Sequence, residues 1–218
     1  MMTMGMDPSL TNFGWAIYGT KPLVGGRFQT SNKTLFVDRY TDLRGMVRSL
    51  IQIHDVRRVG VEYPIFGEQY SPGLYGLFLY TCEALKAEKC DVVFFSPGQG
   101  KAHARDVLKR PKGWKMGKPD MVEAAKLDAG IVGNLNHNIA DAYWIARTAA
   151  RFWAFHDGDI TKADLNPLEL RQFSEVKTYL RGRKAGEVEA KGILYREDER
   201  FFRWSEETTN GKETTEEP

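Results

Sequence analysis

Two short apolar runs that each stop on an acid constrain this chain more than any other feature: Met4-Gly5-Met6-Asp7, and further along Val59-Gly60-Val61-Glu62. Runs of this length, bounded by turn residues, read as buried strands, and an acid at the end of one stands at a strand end where it can hold a metal ion. After Asp7, Pro8 and Ser9 suit a tight turn, Gly14 tolerates close backbone approach, and Trp15 to Tyr18 resume an apolar pattern. Met4 to Ile17 therefore reads as a hairpin carrying a carboxylate. A third acid, Asp141, lies in the helical pattern Asn138-Ile139-Ala140-Asp141-Ala142-Tyr143-Trp144-Ile145-Ala146. Three carboxylates thus stand on three separate elements.

The intervening pattern predicts strands over Thr3–Asp7, Asn12–Tyr18 and Thr34–Asp38, an antiparallel meander. A helix over Tyr40–His54 follows, with Leu43, Met46, Val47, Leu50 and Ile51 at helical spacing, and then a strand over Arg58–Glu62, parallel to the first. A buried helix over Tyr70–Lys89, a strand over Asp91–Phe95, and helices over Pro119–Gly130 and Asn138–Phe155 complete a mixed α/β order. Past Phe155 the composition changes. Asn166-Pro167 suits a helix start, Leu168–Leu180 has helical spacing, and Glu187–Arg196 and Arg200–Trp204 read as two strands of a hairpin. The expected organisation is a mixed α/β domain over 1–155, a basic helix-plus-hairpin extension over 156–204, and a disordered acidic tail over 205–218.

Length and an apolar content of 42% are those of a globular chain with one core. No apolar stretch approaches a membrane span, and the Met-rich start lacks a basic segment followed by a long apolar one, so a cytoplasmic protein without membrane contact is expected. Cys82 and Cys90 lack further cysteines or a metal-ligand spacing and read as reduced thiols. The net charge of +2 conceals a segregated distribution. Lys101, Arg105, Lys109, Arg110, Lys112, Lys115 and Lys118 face the single acid Asp106 in one segment, whereas Ser205 to Pro218 is acidic. The basic segment, with Gly98, Gly100, Gly113 and Gly117, reads as a mobile loop for a polyanionic backbone.

The hairpin, the Val-Glu strand end and the Ala-Asp-Ala helix together resemble the RuvC family of Holliday-junction resolvases over roughly residues 4 to 152. Ser9 replaces a glycine usual in that hairpin. The resemblance implies an RNase H-like fold, a mixed five-stranded sheet flanked by helices. It also implies a metal-dependent endonuclease, a crossover junction endodeoxyribonuclease, acting on four-way or other branched DNA as a homodimer. The C-terminal helix-plus-hairpin extension is not explained by it, and its presence suits a bacteriophage version.

Phosphodiester hydrolysis is helped by two divalent cations about 4 Å apart. Asp7 is expected to bridge both ions, with Glu62 and Asp141 each completing one shell. Hard oxygen donors favour Mg2+, with Mn2+ as a substitute. The resemblance puts Lys101 and Lys118 near the scissile phosphate. It also implies a fourth acid or histidine three residues before Asp141, where this chain has Asn138. Asn138 shares a helix face with Asp141 and can offer a carbonyl oxygen to a metal or its water, whereas His137 lies about 100° around the helix. Phe66 and Tyr70, close after Glu62, are either aromatic platforms for unpaired bases or packing under the active-site loop.

Taken singly, each acid has an ordinary reading: Asp7 as a turn cap, Glu62 facing solvent, Asp141 paired with Arg147, and Asp128 as a solvated surface residue. The rival functions are a nuclease of the same fold on flaps, forks or RNA–DNA hybrids, and a branched-DNA-binding protein with weak chemistry.

Overall fold

The structure is a computed structural model that describes residues 2–31, 33–63 and 72–173, with the backbone of four short strands beyond them. Strands β1 (Thr3–Asp7), β2 (Asn12–Tyr18) and β3 (Val24–Gln29) form an antiparallel meander. Helix α1 (Phe36–His54) then crosses to β4 (Arg58–Glu62), which runs parallel to β1, and α2 (Pro72–Ala87) crosses to β5 (Asp91–Phe95), parallel to β4. The resulting mixed five-stranded sheet, ordered β3-β2-β1-β4-β5 and flanked by helices, is the expected one. Helices α3 (Pro97–Val107), α4 (Lys118–Ala129) and α5 (His137–His156) follow, then a short α6 (Pro167–Phe173). Beyond it, β6 (Val176–Thr178) pairs with β7 (Val188–Ala190), while β8 (Ile193–Tyr195) and β9 (Phe201–Arg203) pair with each other. β8 also pairs with β5, so the hairpin extends the main sheet to seven strands.

The two faces of the sheet differ in side-chain size, and the difference decides where each helix packs. Met4, Met6, Phe13, Ile17, Val59, Val61, Val92 and Phe94 point to the face covered by α1 and α2, where they form the largest apolar cluster. The opposite face carries a row of minimal residues in register, Gly25, Ala16, Gly5 and Gly60, closed by Val93. Helix α5 lies on that row with its own small residues inward. A Cβ at Gly5 would stand 2.1 Å from the Ala142 carbonyl oxygen and 2.3 Å from the Ala146 nitrogen. At Gly60 it would stand 2.7 Å from the Ala149 Cβ, and at Gly14 2.3 Å from the Asn138 carbonyl oxygen. The close seat is possible only because these side chains are absent.

Four sequence expectations are corrected. Thr34–Asp38 is not a strand: Leu35 precedes α1, and Phe36 to Asp38 form its first turn, with Leu35 74% and Val37 65% exposed. The third strand is Val24–Gln29, whose two glycines and arginine hide its period; ladder bonds to β2 define it rather than intrinsic preference. The basic segment is not one mobile loop, because its first part is α3. Ser96 and Gln99 form a capping box there, with the Ser96 amide donating to Gln99 Oε1 at 2.6 Å and Pro97 at the first helical position. Finally, the helix expected over Leu168–Leu180 ends at Phe173, and Glu187–Arg196 contains two short strands rather than one. The expected tail, 205–218, lies outside the described residues.

The chain after α5 packs back on the body: Leu165 and Phe173 are buried with Val93, Phe95, Phe152 and Trp153. Helix α6 is tied to α5 by Arg151, which donates to both oxygens of Glu169 at 2.9 Å. Asn166 caps it, accepting from the amides of Leu168 and Glu169 at 2.9 and 2.8 Å. Cys82 and Cys90 are free, as expected.

The glycine row yields a paired test. Gly5→Ala drives a methyl into α5 backbone and should cost about 3 kcal/mol of unfolding free energy, the upper part of the overpacking range. Gly45→Ala sits on the exposed face of α1 with nothing within 4 Å. It should stabilise by about 0.5 to 1 kcal/mol, and urea unfolding of both variants measures the contrast.

Candidate active site

Asp7 ends β1 and Glu62 ends the neighbouring β4; both lie one pleat beyond the Gly5–Gly60 pair and on the same face as it. Asp141 lies one turn inside α5, and the close seating of that helix lowers it onto the two strand ends. Asp7, Glu62 and Asp141 line one cavity of about 70 Å³ with Lys101, Pro97, Gly100, Met121 and Ile145. The ordinary readings of these acids give way at this point. Arg147 pairs not with Asp141 but with Asp128 at 2.7 Å, and Asp128 also accepts from the Tyr143 hydroxyl at 2.5 Å. Asp128 is therefore a half-buried partner of α5 and not a solvated surface residue.

Burial and mutual repulsion dominate the electrostatics. Desolvation, then the nearby Asp141 charge, raises the Asp7 pKa to about 7, against the opposing pull of Lys101 and Lys118. Desolvation, then Asp7 and Asp141, raises Glu62 to about 8. Asp141 is raised by burial and pulled back by Lys101, His137 and Lys118. With all five groups ionised, three carboxylates face two ammonium groups and one negative charge is left over.

The expected cations divide by position. Lys101, on α3, lines the cavity, and Lys118, the first residue of α4, acts on Asp7 and Asp141 and stands 3.1 Å from His137 Nε2. Arg105, Lys109, Arg110, Lys112 and Lys115 follow along the end of α3 and the connection to α4. That connection is held: Arg105 donates to the Trp114 carbonyl at 3.4 Å, and Met116 is buried against α3, α4 and α5. Asn138 is buried against Gly14 and does not line the cavity; its amide donates to Asn136 Oδ1 at 2.9 Å, which caps α5. Phe66 and Tyr70 lie outside the described residues.

Sequence reasoning missed the support beneath Lys101. His103, buried two residues along α3, has Nε2 2.7 Å from Gln172 Oε1 on α6, and Gln172 Nε2 donates to the Gln99 carbonyl at 3.4 Å. The amide oxygen can only accept, so His103 carries its proton on Nε2, and burial holds its pKa below the usual histidine range. Helix α6 thus grips both sides of Lys101. The Ser96-x-x-Gln99 capping box was the available sequence signal for this helix; nothing local marks Gln172.

No protein-family model matches the chain, and no curated protein matches it in sequence. The solved structures supply the likeness. RuvC of Thermus thermophilus in complex with a Holliday junction substrate superposes with a TM-score of 0.59 at 19% identity, covering 70% of this chain and 94% of that one. A second structure of Thermus thermophilus RuvC gives a TM-score of 0.57 at 19% identity, covering 70% and 95%. The chain has a RuvC-like fold.

Two expectations follow from this geometry. Between the ordinary carboxylate values and the raised ones, the folded protein binds more protons than the unfolded chain, so raising pH works against folding. The stability contributed by Asp7 and Glu62 is present near pH 4 and is lost as pH rises through about 7 and 8. In metal-free buffer, Glu62→Gln should therefore gain on wild type in melting temperature as pH goes from 5 to 8.5, and a constant difference would contradict the shift. Gln172→Leu removes the acceptor from the buried His103 and should cost about 1 to 3 kcal/mol in urea unfolding.

Proposed function

We propose that the protein is a divalent-metal-dependent endonuclease that resolves four-way or other branched DNA by phosphodiester hydrolysis. The observation that carries this reading is the convergence of Asp7, Glu62 and Asp141 on one cavity beside Lys101 and Lys118, in a fold shared with a protein seen on a Holliday junction.

The donor set fits Mg2+ or Mn2+: all three acids offer hard oxygens, and once ionised they outnumber the two lysines, which favours a cation. Among the described residues no group of three His, Cys, Asp or Glu side chains can hold a metal ion by itself. Asp7, Glu62 and Asp141, which line one cavity, would together hold the divalent ions, with water and phosphate oxygens completing the shells. Such ions, when bound, supply an activated water and stabilise the leaving oxygen. The chain's own residues do the rest. Lys101 and Lys118 offset negative charge that builds on the phosphate, and the cations from Arg105 to Lys115 hold the DNA backbone without reading sequence. Asn138, seated against Gly14, supports the α5 terminus in this reading rather than a metal.

A junction presents two equivalent phosphates, so a symmetric dimer brings a site to each. The surface that suits a second copy is the apolar start of α1, Leu35, Phe36 and Val37, continued through Tyr40 stacked on Tyr80 of α2 at 5.2 Å.

Cleavage of labelled junction, fork, duplex and RNA–DNA hybrid in Mg2+ or Mn2+ tests the proposal. Wild type should cut the junction fastest; preference for fork or hybrid would move the activity to those substrates, and binding without cutting would make this a junction-binding protein. Asp7→Asn should slow cleavage by about a thousandfold, the several kcal/mol that metal charge stabilisation supplies, with junction affinity unchanged or higher. A wild-type rate in Asp7→Asn would place the chemistry elsewhere.

A further inference from the structure

The connection between α3 and α4 carries, among its cations, a tryptophan that the reading above does not use. Trp114 is 46% exposed, an unusual state for the largest apolar side chain. Its backbone is fixed on both sides. The Trp114 amide donates to the Pro111 carbonyl at 3.0 Å, Arg105 donates to its carbonyl at 3.4 Å, and Gly113 takes a left-handed φ of 94° to close the turn. Two residues on, Met116 is buried. The indole is therefore presented on a held turn and is not a loose side chain that happens to be in water.

Its surroundings define what it can meet. The Arg110 guanidinium lies over the ring at 5.3 Å from its centre, and Lys112 and Lys115 flank it in sequence, both exposed. An apolar protein partner would have to strip these charges of water, whereas a polyanion with flat apolar rings would satisfy indole and cations together. Lys118, which acts on Asp7 and Asp141, is four residues from Trp114, a span of at most about 14 Å.

We propose that Trp114 is a stacking platform for a nucleobase exposed at the branch point, with Arg110 completing a base, indole and guanidinium stack. The inference rests on branched DNA being the substrate. A base inside a continuous duplex has both faces covered by its neighbours and cannot use the ring; a base at a strand exchange or beside a nick has a face free. Stacking thus adds selectivity for branched over linear DNA that the backbone-directed lysines cannot supply. Stacking is sequence-tolerant, because every base has such a face.

The test is binding in metal-free buffer, which separates it from cleavage. Affinities for a four-way junction and for a linear duplex of equal length are measured for wild type, Trp114→Ala and Trp114→Phe, with 2-aminopurine placed at the branch point. Trp114→Ala should lose about tenfold in junction affinity, within the range for stacking one base, while duplex affinity and the salt slope stay unchanged. Trp114→Phe should recover most of the loss, and wild type should quench the 2-aminopurine where Trp114→Ala does not. The exposed position predicts equal melting temperatures for all three. Equal junction affinity for wild type and Trp114→Ala, or an equal loss on junction and duplex, would overturn the proposal. If wild type binds junction and duplex alike, the branched-substrate reading itself fails; if wild type prefers the junction and Trp114→Ala keeps that preference, only the stacking role fails.

Discussion

The contact between α5 and the glycine row of the sheet is the constraint on which the site depends. An α-helix normally stands off a sheet by the thickness of two side-chain layers; here Gly5 and Gly60 contribute none, and α5 contributes alanines. Main-chain atoms of the helix come within van der Waals reach of β1, so Asp141 is set down beside carboxylates that belong to the sheet itself. The opposite face, with Met, Phe and Val at the alternate positions, supplies the bulk of the core. One sheet thus separates the bulk of the core from the candidate site by side-chain size alone.

That placement works against the fold electrostatically. Asp7 and Glu62 are partly buried, near one another and near Asp141, and desolvation and mutual repulsion hold each protonated well above the ordinary carboxylate range. Lys101 and Lys118 relieve the repulsion only in part. Their helices are consequently tied down with care: α3 by its capping box and by the His103–Gln172–Gln99 bonds to α6, α4 by the Gly117 amide donating to Asp120 at 2.8 Å.

Much of this was legible in the chain. The bounds of β1, β2, β4 and β5 follow from apolar runs between turn residues, and the three acids stand out because each interrupts or ends such a run. What escaped had physical causes. Strand β3 is an edge strand of glycines and an arginine, stabilised by pairing and not by its own side chains, while the more strand-like Leu35-Phe36-Val37 begins a helix with those residues outward. Helix α3 was obscured by its glycines, although Pro97 and the Ser96–Gln99 pair marked its start. The neighbourhood of Asp128 and the bridge from Gln172 to His103 join residues far apart in sequence, and without a contact map neither has a local signature. The candidate site was readable as a set of acids and lysines; the bonds that hold their helices were not.

The glycine contacts also differ in a way that bears on how the sequence can drift. At Gly60 the first obstacle to a side chain is another side chain, the Ala149 Cβ at 2.7 Å, with the Ile145 Cγ2 and carbonyl oxygen behind it at 3.1 Å, so a second-site change to glycine at 149 relieves the tightest contact. At Gly5 the obstacles are a carbonyl oxygen and an amide nitrogen of α5, which every residue possesses. No substitution along the helix can suppress a larger residue there. A larger residue at Gly60 can be eased in part by a change at Ala149, whereas Gly5 has no side chain to trade with, and the line through Gly5 to Asp7 is the part of the molecule least able to vary.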